Sequence, residues 1–529
     1  MSSRVTLRAQ LLRASEIATV LFASGFGWLV EALGLAACVS PRCRFVCSFR
    51  PKSQCPHHVA MDEPLPERMR LVLERLGPTF VKAGQMLALR PDYIPLEYAE
   101  ALRSLHDDVP PFSGADARRV VEDDLGAPLQ RLFAEFEPEP FAAASLSQVH
   151  RALLPDGRPV AVKVQRPGIA EEIERDLALF AFLARRLERR RPETLAFRPS
   201  DAVAELAEYT RRELDFRREA RTAERVRALF ADDERIVVPW VAPERTAGRV
   251  LTMELIEGYR PAPAAELEAA GLEPRTVLAA GAEAMFRQIF EHGLFHADPH
   301  PGNVLLLDGN RICFLDFGMF GRLGLRERRR MAFVFWSLVE GDYEQVGDQL
   351  LRLAALRPDA DPVGFRSAVG EEVEEWFGSS AHDYSIARLL LRQLALGAQH
   401  GLVFTRGLML LARALVNVEA TALVIDPQLT LAELARPLLP ELRRSLFLDP
   451  GALEEAWRRN RYEYLDLALD LPDLLPELAA RMREGGVAQG APPVAAGRRT
   501  SAVTLAGVFL AGFAADRVLR ARRDRTRSH

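Results

Sequence analysis

The sequence predicts an α+β chain of two lobes, preceded by a helical extension and followed by extra helices. Three observations carry that prediction. The chain has 529 residues, more than one hydrophobic core organises. Val160, Val162 and Val164 alternate with Ala161 and Lys163 directly after the turn dipeptide Asp156-Gly157, the pattern of a β-hairpin. A second hairpin pattern runs Val304–Leu307, Asp308-Gly309-Asn310 and Ile312–Leu315, while helical periodicity dominates elsewhere.

In order, residues 1–60 read as a variable region and 61–140 as a helical extension punctuated by Pro78, Pro91 and Pro95. A first lobe spans 141–258 and a second 259–450. Helices over 451–484, a Gly/Pro/Ala linker over 485–500 and a short apolar segment with a basic tail over 501–529 complete the chain. Helices are expected over 171–190, over 201–230 and from 325 to 480; strands are expected over Ile236–Val241 and Arg249–Leu255.

The formal net charge is -4, which gives no basic footprint for nucleic acid. Only three lysines occur, Lys52, Lys82 and Lys163, so arginine supplies nearly all positive charge. A compact ammonium and a planar guanidinium are not interchangeable, so lysines retained in such a chain stand out. Cys38, Cys43, Cys47 and Cys55 cluster beside His57 and His58, but their spacing fits no paired zinc pattern and reads as a loop with incidental thiols. The apolar stretch Ile17–Val39 contains Glu31 and three glycines and reads as a packed helical hairpin.

The strongest chemical signal is His296-Ala297-Asp298-Pro299-His300-Pro301-Gly302-Asn303 followed by Leu315-Asp316-Phe317-Gly318. Protein kinases place H-R-D-x-x-x-x-N and D-F-G in that order around a hairpin. Phosphoryl transfer needs oxygen ligands for Mg²⁺, here Asn303 and Asp316, and a carboxylate near the attacking oxygen, here Asp298. Lys163 stands in Val160-Ala161-Val162-Lys163, close to the kinase V-A-I-K strand that meets the nucleotide phosphates. Its carboxylate partner is sought in Glu213-Leu214-Asp215-Phe216-Arg217-Arg218-Glu219. On one continuous helix Asp215 and Glu219 share a face and Glu213 points elsewhere. No G-x-G-x-x-G precedes Lys163. Ala142, Ala143, Ala144, Ser145, Leu146, Ser147, Gln148 and Val149 stand there instead. Alanine resists positive φ, so this loop should be stiff while still offering N–H groups and hydroxyls to phosphates.

Together these motifs resemble the UbiB (AarF/ADCK) family of atypical kinases, over about Leu71 to Ile425. Lys82-Ala83-Gly84-Gln85 matches the family's K-x-G-Q, and Glu213-Leu214-Asp215 its E-x-D. Ser147 replaces the glycine of the family's usual S-I-G-Q. The resemblance implies a two-lobed protein-kinase-like fold with ATP and Mg²⁺ as cofactors. It implies Lys163 on the phosphates, Glu219 as its ion-pair partner, Asp298 as catalytic-loop acid, and Asn303 and Asp316 as metal ligands. Lys82 and Gln85 lie on the extension, and Lys82 is expected to pair with Glu213 or Asp215, Glu213 by helical phase. Glu254 and Ile256, in Met253–Gly258, look like the hinge that meets adenine.

The implied function is an ATPase or small-molecule kinase linked to ubiquinone or related isoprenoid lipids. Partners would be a quinone precursor or a biosynthetic enzyme complex, with a homodimer left open. A conventional protein kinase and a nucleotide-binding pseudoenzyme scaffold are the alternatives. Ser501–Ala515 is too short to span a bilayer comfortably, at about 1.5 Å per residue against roughly 30 Å. Arginines flank it. This favours membrane-surface association; both flanks are positive and leave orientation open, and the kinase-like domain is expected on the cytoplasmic side.

Overall fold

The computed structural model describes residues 7–440, apart from 42, 44–62, 89, 91–92, 106–108, 191–197, 341–342, 379–384 and 430. The expected helices beyond 440, the linker, the apolar run with its basic tail, and Cys47, Cys55, His57 and His58 lie outside the described residues.

The N-terminal stretch forms the expected packed hairpin. Helix α1 (Leu7–Ala23) turns at Ser24-Gly25 into α2 (Gly27–Ala32). Ile17, Ala18, Val20, Leu21 and Phe26 are buried against Val72, Leu76 and Phe80. Those residues belong to α3 (Leu65–Leu76) and α4 (Pro78–Leu87), with α5 (Leu96–Leu102) closing the group. Pro64 and Pro78 fit helix starts, where no backbone N–H is needed. Arg13 ties α1 down, with both arms on buried Asp176 at 2.9 and 2.8 Å and a third bond to the Leu76 carbonyl at 2.7 Å.

Helix α6 (Gly114–Leu125) lies on a five-stranded antiparallel sheet. Its strands are β1 (Glu135–Phe136), β2 (Ala142–Ala143), β3 (Ser147–Leu153), β4 (Pro159–Gln165) and, later in the chain, a strand over Val250–Glu254. The sheet thus starts at Glu135, ahead of the alternation that marks it in the sequence. Strand β4 sits centrally, with Lys163 opposite Val149 on one side and Leu251 on the other. Its two-residue period sends Val160, Val162 and Val164 against Ala117, Val120 and Val121 of α6. Ala161 and Lys163 therefore face the opposite way.

Helix α7 (Ile169–Arg190) follows. The periodicity predicts one helix over 201–230, but the structure breaks it into α8 (Pro199–Glu213) and α9 (Phe216–Leu229). Asp215 is the reason. It takes an extended backbone, and its carboxylate accepts from the Arg217 N–H at 3.3 Å, capping α9. The single-helix phase relating Glu213, Asp215 and Glu219 therefore does not hold. The 236–241 strand is also shorter than expected. It is β5 (Ile236–Val237), joined in parallel to the second hairpin rather than to the large sheet. Strand β6 is Val250–Glu254.

The second lobe is mostly helical. It opens with α10 (Ala264–Ala269) and α11 (Pro274–Phe286), the latter running into a π-turn over Arg287–His292. Strands β7 (Leu294–His296), β8 (Val304–Leu307), β9 (Arg311–Phe314) and β10 (Phe320–Arg322) carry the chemical motifs between them. Helices α12 (Leu325–Glu340), α13 (Tyr343–Leu351), α14 (Pro362–Gly378), α15 (Ile386–Gln399) and α16 (Arg406–Ile425) build the main core around Phe295, Met331, Phe365, Leu394 and Leu411.

Gly84 marks how tightly the extension is packed. A Cβ there would stand 2.7 Å from Leu73 Cδ1 and would also collide with Leu105. We predict that Gly84→Val destabilises the protein by about 1–3 kcal/mol through overpacking, read as a lower urea midpoint. An unchanged midpoint would show that α3 and α5 yield freely.

Candidate functional site

A cleft of about 1140 Å³ opens between the sheet and the second lobe. Its roof is the alanine-rich segment. Ala142 and Ala143 form β2 and pair with Val149 and Gln148 of β3, so the loop is held as sheet. The Ala144 N–H closes the turn by donating to the Ser147 carbonyl at 2.7 Å. Leu146 packs into a hydrophobic cluster with Met86, Ile169, Ile173 and Leu206. The loop is therefore anchored to the helix that carries Lys82. Ser145 is fully buried, lines the cleft and has no hydrogen-bond partner for its hydroxyl.

Alternation along β3 decides which residues reach the cleft. Ser147, Val149 and Arg151 line it. Gln148 does not, and its reading as a nucleotide contact is corrected here. Its side chain points to the other face, accepting from the Phe112 N–H at 2.9 Å and donating to the Phe112 carbonyl at 3.2 Å. His150, two residues on, shares that face and lies beside it at 2.9 Å. The two-residue period was the available signal.

Lys163 Nζ donates to both carboxylate oxygens of Glu219, at 2.8 and 3.0 Å, and lies 3.5 Å from Asp316 Oδ2. It also stands 5.3 Å above the Phe216 ring. Burial opposes the lysine's charge, but Asp316 and Glu219 outweigh it and raise its pKa. Burial raises Glu219, only partly offset by Lys163. Asp316 resists its own burial because Lys163 and the Gly318 N–H stabilise its charge, and its carboxyl is brought down to about 2. That N–H donates to Asp316 Oδ1 at 2.7 Å.

Asn303 and Asp316 both line the cleft. The Asn303 amide N–H donates to the Asp298 carbonyl at 3.2 Å, which leaves its amide oxygen as the atom for a cation. No group of three or more His, Cys, Asp or Glu gathers into a metal cage among the described residues. A carboxylate and one amide oxygen instead suit Mg²⁺, which completes its shell with phosphates and water. Glu254 and Ile256 line the cleft at the connection between the lobes.

Asp298 and Gln85 are placed elsewhere. Asp298 is not among the cleft-lining residues. Its Oδ1 accepts from Asn417 Nδ2 at 2.6 Å and its Oδ2 pairs with Arg413 at 2.9 Å. Sequence reasoning missed both partners. Their signal is a polar pair four residues apart on α16, a largely apolar helix. That helix alone among those described is long and apolar enough to cross a membrane, yet half of its apolar window is buried inside the fold. Gln85 reaches the Leu105 carbonyl at 3.5 Å and lines a small side cavity with Tyr209 and Arg413.

Lys82 is 7% exposed and pairs with Glu213 at 3.5 Å. The same Glu213 oxygen accepts from the Tyr209 hydroxyl at 2.9 Å. Arg90, also from the extension, pairs with Glu205 of α8. Asp215 turns instead to Arg217 at 2.7 Å.

The ABC1 atypical kinase-like domain matches residues 104–350, and the UbiB helical domain matches residues 369–430. A Marinobacter nauticus protein named probable protein kinase UbiB is 35% identical over 424 residues, covering 79% of this chain and 77% of that one. The chain belongs to the UbiB family. A Xanthomonas campestris relative of the same name is 33% identical over 429 residues, with the same two coverages of 79% and 77%. Among solved structures, one described as the complex of Rv3197 with erythromycin, from Mycobacterium tuberculosis, is 26% identical. It covers 72% of this chain and 94% of that one, at a TM-score of 0.46. The fold is α+β and kinase-like, with a helical C-terminal extension.

The buried Lys163–Glu219 pair yields a direct test. Glu219→Ala removes both hydrogen bonds from the Lys163 ammonium, leaves it facing Asp316 alone and should cost about 1–3 kcal/mol, whereas adding Lys163→Met should recover part of that loss. Chemical denaturation of the single and double variants measures both. Equal losses in the two would refute the pairing as the source.

Proposed function

We propose that this chain is an ATP-dependent atypical kinase or ATPase that supports ubiquinone or related isoprenoid-quinone biosynthesis at a membrane. One observation carries the enzymatic part: Lys163, Glu219 and Asp316 meet in the cleft, with Asn303 beside them on its wall. ATP would lie with adenine along Glu254 and Ile256 and with its phosphates beneath the alanine-rich loop against Lys163. Mg²⁺ held by Asp316 and Asn303 would neutralise phosphate charge. Glu219 fixes the lysine, and the Ser145 hydroxyl is a free donor in the same wall. Each oxygen of Asp298 already accepts one bond, from Asn417 and Arg413, which stabilises its charge and lowers its pull on an acceptor's proton. That engagement supports a second reading, a scaffold that binds nucleotide without turning it over.

The quinone and membrane assignments rest on the family. The supporting sequence feature is the apolar run 501–515 with its flanking arginines. Basic residues near an anionic surface contribute about 1 kcal/mol each. Neither the phosphoryl acceptor nor the quinone is named by these residues.

Asp316→Asn should abolish the thermal shift given by ATP with Mg²⁺, because the bridging carboxylate is lost. A full shift in that variant would sink the metal assignment. ATP turnover by the full chain, with and without lipid, separates the enzyme from the scaffold. In liposome flotation, removal of residues 498–529 should release the protein from anionic vesicles while nucleotide binding persists. Equal flotation of both forms would move the membrane contact to another part of the chain.

A further inference from the structure

The cleft is larger than one nucleotide requires, and its charges are not all used. Its volume of about 1140 Å³ exceeds the roughly 300–1,000 Å³ of a pocket for one small molecule. Every acid on its wall has a partner: Lys82 holds Glu213, Arg217 holds Asp215, and Lys163 holds Glu219 and faces Asp316. Arg151 pairs with Glu257, and Glu254 accepts from the Trp240 N–H at 3.4 Å. Of the cations, Arg212 is spent on Glu208, Arg218 on Asp215 at 4.0 Å, and Arg260 on the Gly302 carbonyl at 2.7 Å. Three lining arginines remain, Arg221, Arg225 and Arg322, and none is in an ion pair among the described residues.

These three are arranged, not scattered. Arg221 and Arg225 lie four residues apart on α9, on one helical face with Arg218. The buried face of the same helix is Phe216, Glu219, Ala220, Ala223 and Val226. Arg225 is six residues beyond Glu219, about 9 Å along the axis from the carboxylate that fixes the nucleotide lysine. Arg322 ends β10, past the Asp316-Phe317-Gly318 turn. Beside it the cleft wall is apolar: Phe320 is partly exposed there, backed by the buried Leu294 and by the buried ring of Phe317, which stacks on it with centroids 5.9 Å apart.

We propose that this end of the cleft is an acceptor subsite for an amphipathic phosphate ester or diphosphate. Arg221, Arg225 and Arg322 take the anionic head, and the Leu294–Phe317–Phe320 wall takes the apolar body. The inference rests on the nucleotide reading of Lys163 and Asp316 and adds the class of the second ligand. Guanidinium groups suit it because they meet phosphate oxygens in paired, charge-assisted hydrogen bonds. Their exposure on an otherwise neutralised wall leaves them available.

The test uses the full chain and dodecyl phosphate below its micelle-forming concentration. Calorimetry is run with and without a saturating non-hydrolysable ATP analogue and Mg²⁺. Dodecyl phosphate should bind in both conditions. Arg225→Gln with Arg322→Gln should weaken it about tenfold or more while moving the analogue's Kd less than about twofold. The exposed control Arg227→Gln, on the same helix but off the cleft wall, should change neither. Equal affinity in the double variant and the parent overturns the proposal, and so does displacement of dodecyl phosphate by the analogue. Failure of the analogue to bind, with arginine-dependent dodecyl phosphate binding intact, sinks the nucleotide reading and leaves this subsite standing. Soluble dihexanoylphosphatidylglycerol separates the sources. If it displaces dodecyl phosphate, the phosphate is that of a lipid headgroup, and if it does not, the phosphate is that of a free ester.

Discussion

The buried contact between Lys163 and Glu219, with Asp316 at its edge, is the constraint around which this structure is organised. Desolvating each ion costs several kcal/mol, and the attraction repays it only in good geometry. Lys163 comes from the centre of a sheet, Glu219 from a helix packed on that sheet, and Asp316 from the turn after the second hairpin. Three separate elements must therefore hold register to within a hydrogen bond. The strand period that buries Val160, Val162 and Val164 on one side is what delivers Lys163 to the other. The Asp215 cap restarts the helix so that Glu219 falls one turn in, on its buried face.

Around this centre, two ion pairs tie the extension to α8. Lys82 finds Glu213, and Arg90 finds Glu205. Glu213 closes the helix that ends just before the Asp215 cap, so the extension grips the element that sets where α9 begins. Asp298 is held from the opposite direction, by α16. Asp298 and Lys163 are thus restrained by different parts of the chain.

What was legible in the sequence follows from how far each signal reaches. Alternation around Lys163, the Asp156-Gly157 turn and the hairpin between Asn303 and Asp316 are local, and the structure forms both hairpins there. The Lys82–Glu213 contact was accessible because lysines are scarce and E-x-D is compact. The break at Asp215 was hidden because an unbroken helical pattern crosses it and only the cap chemistry separates the two helices. Gln148 reads as one of the loop's cleft residues because Ser147 and Val149 beside it line the cleft, yet in a strand neighbours face opposite ways. The hold on Asp298 spans 119 residues to Asn417, and no local period records a contact of that range.

Leu146 in the roof of the cleft and Met86 on the helix of Lys82 share one hydrophobic cluster with Ile169 and Ile173. Packed interiors do not deform continuously, so the roof and that helix have few independent positions. Were a ligand to settle the roof, any bias it placed on the extension would be returned in equal measure, because linkage is reciprocal.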